Sequence, residues 1–326
     1  LIAGWSCAFP DDELNLRTQR RHISILRADA QQAKLKVEVS HYPRWARYHA
    51  VAVATIAARS DRYDAVLTQN FCPPLSTAPR VVLVHDALFV TNPEWFTKAE
   101  LLYLSGIRPS LRWANNILTT SDSETARIGA VWPELRTRLV KVGLGVPDGV
   151  LQAQPRRPSS LSGEVPFVLA VGRLNVRKNL AGLIEAFIDI ARDDPKPHLF
   201  IAGSVDGAYA PIVVPDEVSA RVHFLGHVTD DELRWLYENC DLFVCPSLDE
   251  GYGLPLIEAN ILGARVIASD IPVFRELAIA VAYFDPRSIA EMAAAIRQGL
   301  DTVGSTVAGH LTWDGVVKNI RAAIAK

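Results

Sequence analysis

The 326-residue sequence predicts an α/β protein in which parallel sheets form two domains. Short apolar runs alternate with helical patterns along most of the chain, the order that parallel strands with crossover helices require. A Pro- and Ser-bearing break near residue 150 (Pro147, Pro155, Pro158, Ser159, Ser160) separates two such series. The third observation is the stretch Asp249 to Glu258, where a glycine-rich turn joins the apolar run Leu242–Cys245 to a helical pattern. In open parallel sheets, ligands sit beyond the carboxyl ends of strands, where this turn is expected.

In chain order, Leu1-Ile2-Ala3 is expected to open a first strand that ends at Gly4. Arg17, Arg20, Arg21 and Arg27 form a basic run at helical spacing, and Tyr42, Trp45 and Tyr48 follow it. Such a run is either a solvated helix face or a contact for anionic lipid. Residues 64–68, 80–84 and 116–120 read as strands, the second ending in His85-Asp86. Ser121 to Glu124 has the spacing of a capping box at the start of a helix. His85 therefore lies at a strand's carboxyl end, either facing a ligand or simply capping the strand. The run Gly143 to Gly149 resembles a dinucleotide fingerprint but lacks its third glycine, and no helix is expected after it. The expected division is a first domain over 1–150, a linker over 151–165, a second domain over 166–305, and a last helix over 306–326 crossing back to the first domain.

The second domain opens with a strand over 167–171 and the turn Gly172 to Asn179, which carries Arg173 and Lys178. Both cations could point into one crevice, or both could be ordinary solvated side chains. A helix with Leu180, Leu183, Ile184, Phe187 and Ile188 on one face follows. Further strands are expected at 199–202, 222–225, 242–245, 265–269 and 281–284, with helices over 230–239, 256–262 and 313–324. Gly251 and Gly253 let backbone approach a ligand, Pro255 suits a first helical turn, and amides at that helix start could hold an anion. Glu250 in the turn and Glu258 in the helix are acceptors suited to hydroxyl donors. A phosphate-bearing ligand with several hydroxyls fits this layout.

Composition narrows the class. Hydrophobic residues are 49 % and charged residues 21 %, enough for a sizeable core. Net charge is −2, divided as +4 over residues 1–150 and −6 over 151–326. The positive half is either ordinary surface variation or a face for an anionic partner such as a membrane. Cys7, Cys72, Cys240 and Cys245 lack metal-ligand spacing, and no metal is expected. No apolar run reaches the ~18 residues of a membrane helix. No nucleic-acid partner is expected, and a cytoplasmic location is, with peripheral contact at the inner membrane face as its extension.

The motifs then point further. Glu250-Gly251-Tyr252-Gly253-Leu254-Pro255-Leu256-Ile257-Glu258 resembles the E-x7-E signature of the retaining glycosyltransferases of family 4. Ala170 to Asn179 resembles their G-R-x-x-x-x-K-N segment, Gly226-His227-Val228 their G-x-V turn, and Cys240 to Ser247 the strand entering the signature. Ala268 to Pro272 resembles the following strand end; Val84-His85-Asp86 and Thr119-Thr120-Ser121 match more loosely. The resemblance covers 167–286 without a large break and is nearly absent over 1–60. It implies a GT-B fold, two Rossmann-like domains facing across a cleft, with a nucleotide-sugar against the second. It implies that Arg173 and Lys178 hold the diphosphate, that Glu258 accepts from the ribose, and that main chain at Gly226–Val228 meets the base. Glu250 and the amides of Gly253 and Leu254 would face the donor sugar and its phosphates, with His85 approaching the reacting sugar. Of the glycine loop that often touches the diphosphate in this family, only Gly4 is a candidate. Transfer would be retaining and metal-independent, without a cofactor. Similarity around 85–96 is greatest to bacterial polysaccharide mannosyltransferases, so GDP-mannose is the first expected donor, with UDP- or dTDP-sugars as alternatives. The acceptor would be a glycan or polyprenyl-linked sugar. A nucleotide-sugar epimerase of the same fold, a non-catalytic nucleotide-sugar binder and a nicotinamide oxidoreductase are the competing readings; the missing GxGxxG weighs against the last.

Overall fold

The structure, a computed structural model, describes residues 1–19, 35–40, 63–74, 76–161, 163–204, 212–302 and 312–325. Two compact units emerge. One comprises Leu1–Ala87, Lys98–Gly145 and Leu311–Lys326; the other comprises Leu88–Thr97 and Val146–His310. Both are α/β with parallel sheets.

The first unit holds a two-stranded parallel sheet, β1 (Leu14–Gln19) with β2 (Leu35–Ser40). It also holds a four-stranded one, in sequential order, of β3 (Val66–Gln69), β4 (Arg80–Leu83), β5 (Asn116–Thr119) and β6 (Leu139–Lys141). The expected strand at Leu1–Ala3 is instead part of the helix Ile2–Ala8. The cause is visible in the spacing: Leu1, Trp5, Ala8 and Phe9 all join one apolar cluster, a helical and not an alternating period. Gly4 is therefore a helix residue and forms no phosphate loop. A Cβ there would lie 2.7 Å from Trp313 Cβ, so it lets this helix close on the helix Trp313–Ile324. The late helix contributes Val316, Val317, Ile320 and Ala323 to a core shared with Trp5, Val81, Leu83 and Leu118. Arg321 pairs with Asp12 through both guanidinium arms at 3.0 Å, and Asp12 also accepts from the Trp5 indole. Arg17 lies in β1, whereas Arg20, Arg21, Arg27, Tyr42, Trp45 and Tyr48 lie outside the described residues.

Ser121 caps the helix Asp122–Val131 by accepting from Glu124 N at 3.0 Å. The Glu124 carboxylate turns inward, accepting Ala87 N–H at 2.7 Å and Arg127 Nε at 3.0 Å. After β6 a short helix, Asp148–Gln152, does form, against the expectation of none. At five residues it is too brief to carry a dinucleotide-binding turn.

The second unit is built on six parallel strands: β7 (Phe167–Val171), β8 (His198–Ala202), β9 (Val222–Gly226), β10 (Leu242–Cys245), β11 (Val266–Ser269) and β12 (Ala282–Phe284). Their spatial order is β12-β11-β10-β7-β8-β9. The chain thus winds outward from β7 to β9, returns to the other side of β7 at β10, and winds outward again. β7 and β10 flank the topological switch point, the place beyond the strands' carboxyl ends where ligands bind in open parallel sheets. Apolar clusters cover both faces of the sheet, one with the helices Leu180–Asp193 and Ile289–Asp301, the other with Asp230–Asn239, Leu254–Ile261 and Pro272–Leu277. The helix Asp230–Asn239 starts with a complete capping box between Thr229 and Glu232. It also anchors the segment expected to be a linker: Arg234 donates to Leu151 O at 2.7 Å and Ala153 O at 2.9 Å, and Asp231 O accepts Arg156 N–H at 3.0 Å.

Candidate active site

The two turns at the switch point bring a cluster of charged residues together. The turn leaving β7 carries Arg173, Arg177 and Lys178; the turn leaving β10 carries Ser247 and Glu250. Asn175 folds the first turn by accepting Lys178 N–H at 3.2 Å, and Asn179 takes the left-handed conformation that ends it. The two turns are stitched by Leu248 N–H donating to Arg177 O at 2.8 Å.

Glu250, only 7 % exposed, is the centre of this cluster. Its Oε1 receives Lys178 Nζ at 2.7 Å and Ser247 Oγ at 2.9 Å, and its Oε2 receives Arg177. Burial alone would raise its pKa. The Lys178 and Arg177 charges, with the bonds from Lys178 and Ser247, outweigh burial and hold it at about 2. Glu250 is therefore held as the anion near neutrality. Arg177 was missing from the sequence-based candidates. Lys178, expected at the diphosphate, is buried against Glu250, while Arg173 on the same turn is exposed.

Downstream of Glu250, Gly253 adopts φ +103° and begins the helix Leu254–Ile261, with Pro255 in its first turn. A Cβ on Gly253 would come within 2.7 Å of the Phe274 ring, so the position needs glycine for conformation and for space. The Gly253 carbonyl accepts Leu256 N–H at 3.0 Å and so closes the first turn of this helix. One helical turn on, Glu258 is 8 % exposed, and its Oε2 accepts the Tyr237 hydroxyl at 3.1 Å. Burial raises the Glu258 pKa, the Tyr237 bond and Lys178 oppose it, and Asp230 adds to it. Gly226 ends β9 and Val228 follows it, and Gly226 O accepts Gly203 N–H at 2.8 Å.

In the first unit, His85 follows β4. Its Nε2 lies 2.6 Å from Gln69 Nε2, and its carbonyl accepts the Thr120 hydroxyl at 3.3 Å. Burial lowers its pKa, against the pull of Asp86, and so favours the neutral imidazole. Two residues on, Ala87 N–H is the one held by Glu124.

Residues 152–302 match the family model described as glycosyl transferases group 1. The O-antigen chain mannosyltransferase B of Escherichia coli is 27 % identical to the chain over 245 residues, 71 % of this chain and 64 % of that protein. The GDP-mannose:cellobiosyl-diphosphopolyprenol alpha-mannosyltransferase of Xanthomonas oryzae is 26 % identical over 209 residues, 63 % of this chain and 53 % of that protein. The chain thus spans just over half to just under two thirds of these relatives. Among solved structures, Anabaena Alr3699/HepE in complex with UDP and glucose aligns over 99 % of this chain and 89 % of its own, at TM-score 0.64 and 18 % identity. That likeness establishes the fold, two parallel-sheet α/β units of GT-B type. The resemblance drawn from the motifs and the family model agree, and the switch-point cluster lies inside the residues that match that model.

Proposed function

We propose that the chain is a retaining, metal-independent glycosyltransferase that moves a hexose from a nucleotide-sugar to a glycan or polyprenyl-linked acceptor. The observation that carries the proposal is the buried Lys178–Glu250–Arg177 cluster at the switch point, beside a glycine-started helix bearing Glu258. In the reaction the bond from the anomeric carbon to the diphosphate oxygen breaks, and a bond to the acceptor oxygen forms on the same face. The acceptor proton passes to the departing phosphate. Negative charge grows on the diphosphate as it leaves, which cations and helix-start amides aimed at it stabilise. Arg173 and Lys178 are assigned to that charge, with the Gly253 and Leu254 amides. Glu250, an anion fixed by three donors, is assigned to orienting Lys178 and Arg177 and to the face of the donor sugar. Glu258 is assigned to the ribose and the main chain at Gly226–Val228 to the base. His85 is assigned to the sugar on its motif alone, and His85→Ala should lower kcat about 10²-fold with the fold intact; normal turnover would return it to a strand cap.

Mannose from GDP-mannose is the preferred donor, supported by the mannosyltransferase relatives. Peripheral contact with the inner membrane face would suit a lipid-linked acceptor. No helix among the described residues is long and apolar enough to cross a membrane. A thermal-shift screen against GDP-, UDP- and dTDP-sugars tests the reading, since a ligand at 100 times its Kd adds about 2.7 kcal/mol. Acceptor-dependent release of the diphosphate, with the product anomer read by NMR, tests transfer and retention. A chain stabilised by none of the three donor classes would sink the proposal.

A further inference from the structure

Glu258 is a carboxylate with two different oxygens. Oε2 is held by the Tyr237 hydroxyl at 3.1 Å. Tyr237 is itself fully buried on the neighbouring helix Asp230–Asn239, with its ring edge-on to Phe243 at 5.5 Å between centroids. Its neighbours Leu236, Leu256, Ile257 and Ala259 form the same apolar cluster, so the phenol cannot swing away without opening the packing between two helices and β10. A buried phenol in such a position is oriented by packing, and it points its single donor at one side of one carboxylate. Oε1 is left to accept from elsewhere.

We infer that Tyr237 is a positioning residue for nucleotide recognition: its hydroxyl fixes Glu258 Oε2 so that Oε1 faces the vicinal hydroxyls of a nucleoside diphosphate's ribose. This rests on the reading of Glu258 as the ribose acceptor. The Tyr237 bond does two things there. It removes a rotation of the carboxylate that would otherwise be frozen only on binding. It also stabilises the ionised form, which alone can accept from both ribose hydroxyls. The charged and titratable groups facing Glu258 are Asp230 and Tyr237 on one helix and Lys178 from the turn after β7; Cys240 and Cys245 face Tyr237. Removing the hydroxyl leaves burial and Asp230 to favour the protonated carboxyl, opposed only by Lys178.

The test is a binding cycle with free GDP and free UDP, using whichever binds the wild type more tightly. Tyr237→Phe should weaken binding roughly 5- to 10-fold, the scale of one hydrogen bond, and Glu258→Gln about 10-fold or more. The double variant should bind no more weakly than Glu258→Gln alone, because the tyrosine acts only through that carboxylate. On acidification from pH 8 to 5, affinity of the Phe variant should fall at a higher pH than that of the wild type, whereas a tyrosine that only packs would shift affinity equally at every pH. Installing 4-aminophenylalanine at position 237, which keeps a donor on the ring, should restore most of the affinity, and it carries the same cycle if the Phe variant does not fold. Losses that multiply in the double variant, or wild-type affinity in Tyr237→Phe, overturn the inference while leaving the ribose reading intact. Wild-type affinity in Glu258→Gln overturns the ribose reading and the inference with it.

Discussion

Glu250 and Glu124 are both buried acids, yet their surroundings drive them in opposite directions. Glu250 has two cations and a hydroxyl within bonding distance and is held at about 2. Glu250→Gln leaves Lys178 and Arg177 facing a neutral amide, so unfolding should be easier by roughly 3 kcal/mol or more. The kinetic loss should fall mainly on kcat, with free diphosphate binding changed less than in Glu258→Gln. Equal losses of diphosphate affinity in the two variants would reverse their assignments. Glu124 meets burial first, which Arg127 and Ala87 N–H only partly offset, and it rises to about 7. A carboxyl whose folded pKa exceeds its unfolded value stabilises the fold fully below about 4.5, and that stabilisation is lost as pH rises through about 7. The window is worth on the order of 3 kcal/mol. Denaturant unfolding from pH 4.5 to 8 should show this decline, and Glu124→Gln should flatten it; an unchanged profile would mean that Glu124 is ionised throughout.

Among elements, the turn and helix from Asp249 to Ile261 make the sharpest case. Gly253→Ala places a side chain at φ +103° and drives its Cβ toward the Phe274 ring at 2.7 Å. A loss of about 2–4 kcal/mol is expected, with the helix start displaced and donor binding weakened. Thermal unfolding and diphosphate titration of that variant check both. The strands of the second unit were readable because each is a short apolar run, and its helices at Leu180–Asp193, Asp230–Asn239 and Leu254–Ile261 because each keeps a stable period, whereas Pro272–Leu277 and Ile289–Asp301 were not among the expected helices. The last helix, Trp313–Ile324, was legible for the same reason. Leu1-Ile2-Ala3 misled because three apolar residues cannot distinguish a period of two from one of 3.6, and only Trp5, Ala8 and Phe9 resolve it. The site was readable in part. Lys178, Glu250 and Glu258 stand in long motifs. Arg177 looks like any surface cation beside a lysine, and Tyr237 like any core aromatic. Ser121 to Glu124 reads as a cap, and the inward turn of Glu124 has no local signal. Arg177–Glu250 and Lys178–Glu250 join residues 73 and 72 apart in sequence, and the order of β7 and β10 in the sheet is what brings them together.

At the scale of the molecule, the proposed chemistry draws its positive charge from side chains and from a helix start. The sequence places no D-x-D after an apolar strand. Turnover should survive EDTA; loss of activity with recovery on Mn2+ or Mg2+ would contradict this source of charge. The first unit has a different consequence. Its core is completed by Val316, Val317, Ile320 and Ala323, packed with Trp5 and with strands that end well before residue 145. A ribosome releases residues 1–145 long before it releases 313–324, so during synthesis the earlier part waits with an apolar face uncovered. The unit that contains residues 146–310 can close in the meantime, since its sheet and both covering layers of helices are already out. In vectorial synthesis the unit made second is thus the one able to finish first, and the period of risk for aggregation lasts until the helix Trp313–Ile324 emerges.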